Sequence, residues 1–160
     1  MIKVLLIFTL ILSAFFAISA QDLQTARRNL MPVPANVSWK NGRLPVTKNF
    51  TVAVSGKTDE RLKSYISRAM RRLEGRTIFE FPRDLSTDAA NASLLIETIS
   101  TGNAIPKLGD DESYDLEISD RQAKITAPTT VGAMRGLETF LQLLEGDRDG
   151  FYFPAVSISD

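Results

Sequence analysis

The sequence predicts an α+β domain of two layers: a mostly antiparallel β-sheet with two α-helices packed on one face. Three observations lead there. Most candidate strands alternate apolar and polar residues, as expected of a sheet buried on one side and wet on the other. Two segments, one after Asp59 and one after Thr129, carry apolar residues at helical spacing along one side. Two such helices are enough to cover a one-sided sheet.

The elements follow in order. Met1 to Ala20 has a cation at Lys3, an apolar run from Val4 to Ile18, and small residues at Ser19 and Ala20. It reads as a secretory signal peptide cleaved after Ala20, which implies a periplasmic or extracellular destination. An uncleaved membrane anchor is the rival reading, but the run is shorter than the about 20 apolar residues a span requires. No Cys follows it, so there is no lipoprotein attachment point. The expected domain is therefore 21–160, with its core from about residue 30.

Within it, 21–35 is a polar lead-in made extended by Pro32 and Pro34. Residues 37–46 read as two short strands around Asn41-Gly42, a hairpin dipeptide. Phe50, Val52 and Val54 share one face of a strand. Thr58 or Asp59 then caps a helix with the stripe Leu62, Tyr65, Ile66, Ala69, Met70 and Leu73, stopped by Gly75. Residues 77–81 suggest a short strand, 92–99 a central one, and 101–113 a long irregular connection. Tyr114, Leu116 and Ile118, then Ala123, Ile125 and Ala127, alternate on either side of a turn at Asp120-Arg121, giving an antiparallel hairpin. Thr129 or Thr130 caps the second helix. Met134, Leu137, Phe140, Leu141 and Leu144 face inward, with Arg135, Glu138, Gln142 and Glu145 opposite. Gly146 closes that helix, and a terminal strand runs to Asp160.

Composition narrows the chemistry. Without Lys3, 18 basic residues of the original 19 face 19 acidic ones, a net charge near −1 that recommends neither nucleic acid nor an anionic membrane as partner. There is no Cys to staple the core. There is no His either, which removes the commonest general base and metal ligand and every Ser–His or Cys–His nucleophile. Carboxylates remain. Asp110, Asp111 and Glu112, with Asp115 nearby, could approach a hard cation, but they lack the spacing of a calcium loop. Asp147 to Gly150 lacks the third acid and distal Glu of such a loop and reads as a turn. Arg61, Arg68 and Arg72 share one side of the first helix, where flanking Glu60 and Glu74 make a solvated face the better reading.

Gly132 and Gly136 stand inside the second helix, where each costs about 1 kcal/mol relative to Ala, so close approach of the helix backbone to a neighbour is expected. Sequons at Asn36, Asn49 and Asn91 matter only in a host that glycosylates them. No pair of acids has the apolar surround that raises a pKa for acid catalysis. On its own residues the chain is a scaffold or binding domain, with no catalytic, cofactor-binding or metal residue to assign.

Three segments are more specific: "LMPVPANVSWKNGRLPV", "DESYDLEISDRQAKITAPTTVGAMRGLETFLQLL" and "PAVSISD". Together they resemble the N-terminal domain of bacterial-type β-N-acetylhexosaminidases of glycoside hydrolase family 20, most specifically in the helix pattern of Gly132, Gly136, Leu137, Thr139, Phe140, Gln142 and Leu143. The resemblance implies a zincin-like accessory domain whose partner, in the same polypeptide, is a catalytic (β/α)₈ barrel absent from these 160 residues. It implies no cofactor, and contact with the substrate glycan only through that barrel. In the family an adjacent Asp-Glu pair performs substrate-assisted hydrolysis. Asp59-Glu60 and Asp111-Glu112 stand in other contexts, so no catalytic residue is carried over. The expected function is therefore the leading domain of an exported hexosaminidase, inactive alone. Leading domains of α-glucuronidases or hyaluronidase-like N-acetylglucosaminidases, and a free-standing secreted binding module, are the alternatives. An exposed apolar patch is expected where the barrel belongs; Phe151, Tyr152 and Phe153 are candidates for it, with the core as the alternative place for at least one of them.

Overall fold

A computed structural model describes residues 29–160. The signal-peptide reading falls outside the described residues. Residues 29–33 are irregular, and Pro34–Asp160 forms one compact unit. Its elements are β1 (Asn36–Pro45), β2 (Val52–Gly56), α1 (Glu60–Arg76), β3 (Leu94–Thr98), β4 (Asp115–Ile118), β5 (Ala123–Ala127), α2 (Thr130–Gln142), β6 (Glu145–Asp147) and β7 (Gly150–Ser159).

The strands form a single seven-stranded sheet of order β1-β7-β4-β5-β3-β2, with β6 added to β7. Most neighbours are antiparallel, while β2–β3 and β3–β5 run parallel. The fold class is the expected one. Register explains which face is buried, because paired residues share a face. Val54, Ile96, Ile125, Leu116 and Ile158 form one row across five strands, and Val52, Leu94, Ala123, Ile118 and Val156 form the next. Both rows lie under the helices. The reverse face carries Glu97, Lys124, Glu117 and Ser157, with Lys124 paired to Glu97 at 2.8 Å and Lys40 to Glu117. It is not wholly polar, however. Ala53 and Leu95 are buried there beneath Ala89 and Ala92, so the segment before β3 covers one corner of the second face.

Each helix is set by its cap. Asp59 accepts from the Leu62 N–H at 2.9 Å, and Thr129 Oγ1 accepts from Gly132 N–H at 3.1 Å. The helix α1 buries Leu62, Ile66, Ala69 and Leu73. It does not stop at Gly75: it runs to Arg76, where the Thr77 hydroxyl bonds back to Leu73 O at 3.0 Å. Below the helices, Phe50, Phe81, Phe140 and Phe153 close the core, with Phe140 and Phe153 stacked at 3.9 Å.

Several local expectations are overturned. Asn41-Gly42 turns no hairpin. Residues 36–45 are one strand paired along β7, and the register shifts between Trp39 and Arg43, so the dipeptide makes a bulge with Gly42 at φ +107°. Residues 77–81 form no strand; Phe79 and Phe81 turn inward as aromatic packing instead. Gly146 does not close α2 and Glu145 is not on it. Both belong to β6, which hairpins onto β7 through the 147–150 turn. Met134 is half-buried rather than inward, and Leu144 lies beyond the helix.

Candidate functional site

The strands β2, β3, β5 and β7 end at the same edge of the sheet where both helices begin, and the long connection 99–113 lies across it. Open α/β sheets place ligands at such an edge, and the acidic candidates also gather there. A cleft of about 190 Å³ is lined by Gly102, Asn103, Asp110, Asp111, Thr129 and Val131.

Its carboxylates serve the loop itself. One Asp110 oxygen accepts from Asn103 Nδ2 at 2.7 Å and the other from the Lys107 N–H at 2.8 Å. A single Asp111 oxygen accepts from both the Ser113 N–H and hydroxyl, which hold that carboxyl below its usual range. Glu112 pairs with Arg135 at 2.7 Å, while Asp115 points to the reverse face in the row of Thr126 and Ser159. Among the described residues, no three acids converge on a point that could hold a metal.

The basic stripe of α1 also comes apart into separate contacts. Arg61 pairs with Asp59 and donates to the carbonyls of Thr101, Asn103 and Ala104 at 3.0–3.1 Å, clamping the loop onto the helix start. Partial burial pushes the Asp59 carboxyl up, but the Leu62 N–H, Arg61 and the Thr130 hydroxyl together hold it below the usual range. Arg68 lies over the Tyr65 ring at 5.1 Å. Arg72 pairs with Glu138 at 2.5 Å, and Tyr65 OH donates to the same carboxylate at 2.6 Å. The three arginines therefore do different work and make no common anion site.

The 147–150 turn is likewise structural. Arg43 of β1 reaches both Asp147 and Asp149 and lies over the Tyr152 ring at 4.8 Å.

The glycine pair is where the sequence points most directly to the structure. A Cβ on Gly132 would stand 2.2 Å from Ser113 O, and one on Gly136 would stand 2.8 Å from Ile125 Cγ2 and 3.1 Å from the Tyr114 ring. The helix backbone thus rests on the entrance to β4 and on β5. Beside it the Tyr114 and Thr139 hydroxyls bond at 2.6 Å in the buried layer. Asn36, Asn49 and Asn91 are all exposed.

The expected apolar patch at 151–153 is not there. Phe153 is fully buried, and Phe151 is half-buried and edge-on to Phe79. Tyr152, also half-buried, donates to Glu145 at 2.9 Å. Three of the exposed apolar side chains lie instead in the 99–113 loop, where Ile99 is 75% exposed, Ile105 78%, and Leu108 fully so; Met31, Val33 and Ile78 are exposed elsewhere. Ile99 also lines a hollow of about 240 Å³ with Tyr114, Pro128 and Asp160. Sequence reasoning missed this surface, because periodicity carries no information in an irregular connection. Among the described residues no helix is long and apolar enough to cross a membrane.

Residues 30–143 match a sequence family described as beta-acetyl hexosaminidase like. The chain is 31% identical over its whole length to beta-hexosaminidase subunit A1 of Dictyostelium discoideum, covering 28% of that protein. It is 38% identical over 93 residues to beta-hexosaminidase subunit alpha of Bos taurus, which is 55% of this chain and 17% of that one. Among solved structures, the chitobiase of Flavobacterium johnsoniae is 42% identical with a TM-score of 0.76, over 82% of this chain and 20% of that chain. The chain therefore spans less than a third of the length of each.

Proposed function

The chain belongs to the family of N-terminal domains of glycoside hydrolase family 20 β-hexosaminidases, and on that premise we propose that it is the accessory domain of an exported β-N-acetylhexosaminidase. The whole enzyme removes terminal, non-reducing N-acetylhexosamine residues, and this domain supports the catalytic barrel without making or breaking bonds. One observation carries the reading: the chain matches only about a fifth of a chitobiase at 42% identity. The acids Asp110 and Asp111 at its open edge, in addition, are tied up in holding their own loop. The Asp111 carboxyl, held below its usual range by the Ser113 hydroxyl and N–H, is poorly suited to act as a general acid. The same identity favours a hexosaminidase over an α-glucuronidase as the parent.

The test uses a chromogenic N-acetyl-β-glucosaminide. The purified chain gives no turnover. A chimera in which residues 29–160 replace the matching segment of the Flavobacterium johnsoniae chitobiase is active. Turnover by the chain alone, or a chimera that is folded but inert, overturns the reading.

A further inference from the structure

We infer that the 99–113 loop is the surface on which this domain seats the catalytic domain of its own polypeptide, with Ile99, Ile105 and Leu108 as the apolar contacts; the inference rests on the function proposed above.

The first ground is rigidity. Arg61 binds three loop carbonyls, and the buried Thr130 hydroxyl donates to Thr101 O at 2.8 Å. Ser100 is bonded to Pro128 O through both its N–H and its hydroxyl. Farther along, Asp110 closes the turn that includes Leu108, and Thr129 Oγ1 donates to Asp111 O at 2.8 Å. A loop fixed this firmly holds its apolar side chains in water without the freedom to fold them away. It also presents them to a partner at little ordering cost.

The second ground is distribution. Three of the eight exposed large apolar side chains among the described residues lie in this one connection. The reverse face of the sheet, by contrast, is ion-paired, and the lower aromatics already pack on one another. At the end of the same connection Glu112 pairs with Arg135 of α2, a charged pair of the kind found at interface rims.

The third ground decides the occupant. Three side chains and a shallow hollow fall far short of the roughly 1,000 Å² that a stable free partner needs. A partner joined by a short tether is held at an effective concentration of about millimolar, and a small patch is then sufficient. In the relatives a segment like this one is only 17–28% of the length, so the same chain has ample room for such a partner.

The experiment compares the 160-residue chain with the chitobiase chimera, each with and without Ile99→Asp, Ile105→Asp and Leu108→Asp together. Because the side chains are exposed, the variant leaves the melting temperature of the isolated chain within about 2 °C, while the chimera's midpoint falls by about 5 °C or more and its activity drops. Ser replacements at the same positions repeat the chimera loss in smaller measure without adding charge. If the chimera is unmoved, or if chain and chimera fall equally, the inference is overturned. It is also overturned if the isolated chain is a dimer that the variant splits, since the patch then serves a second copy. An inert wild-type chimera sinks the proposed function, and the inference goes with it; an active chimera that ignores the variant sinks the inference alone.

Discussion

Replacing Gly132 by Ala sets two well-measured effects against each other. Helix propensity alone favours the change by about 1 kcal/mol, since Ala is the best helix former and Gly among the worst. The structure predicts the opposite sign. The new Cβ would stand 2.2 Å from Ser113 O, more than 1 Å inside ordinary contact, and the obstacle is backbone rather than a side chain that can swing aside. Relief requires α2 to lift off β4, and overpacking of that kind costs about 1–3 kcal/mol or more. With the backbone clash taken at about 3 kcal/mol, the top of that range, the net is a loss of about 2 kcal/mol, or roughly 6–10 °C in melting temperature. Gly136→Ala meets softer neighbours, the Ile125 methyl and the Tyr114 ring, and should lie within about 1 kcal/mol of wild type. Gly136→Leu pushes a whole side chain into them and should destabilise severely. Gly75→Ala is the internal control: it sits in the last turn of α1 with nothing within 4 Å of the added carbon, so the propensity gain appears undiluted, up to about 1 kcal/mol. Urea unfolding followed by far-UV circular dichroism reads all four. If Gly132→Ala proved as stable as wild type while Gly75→Ala rose, the close approach of α2 to the sheet would be refuted.

Two further perturbations test the contacts that join the helices and the loop. Burial pushes the Glu138 carboxyl up, but Arg72 and the Tyr65 hydroxyl outweigh it and hold the pKa below the usual 4.5. A group depressed in the folded state contributes stability at pH 7 that disappears as pH falls through its folded value. Glu138→Gln should therefore cost about 1 kcal/mol at pH 7, the half-exposed Arg72 keeping the figure modest, and should flatten the stability loss below pH 4.5. A parallel acid limb in the two unfolding profiles would contradict this. Arg61→Ala removes the carbonyl clamp, so amide exchange across 101–112 should speed up by about tenfold or more, with α2 unchanged. Uniform acceleration over the whole domain would mean that Arg61 holds the fold and not the loop.

What could be read from the sequence was local. The alternation at 114–127 found β4 and β5, and the two glycines foretold the close seat of α2, because a costly residue inside a helix needs a packing reason. What could not be read was decided at a distance. Asn41-Gly42 offers a positive φ, and a bulge uses that freedom as readily as a hairpin does. The choice fell to β7, more than a hundred residues away, which accepts β1 along both halves. Gly146 looked like a helix stop because β6 is only three residues long and alternates too briefly to announce itself. The surface at Ile99, Ile105 and Leu108 was hidden for a different reason. An apolar residue in an irregular stretch is buried or bare according to what the loop packs against, and no period encodes that.

The sheet order has a further consequence on the ribosome. Among the described strands β1 pairs only with β7, which in turn separates it from β4. The first of the described strands to be synthesised thus finds its place only after the last of them has emerged, while β4 waits with a bare edge. Until residue 159 is available to pair, in the nascent chain or during export, the domain should stay open to proteases and to illicit strand pairing.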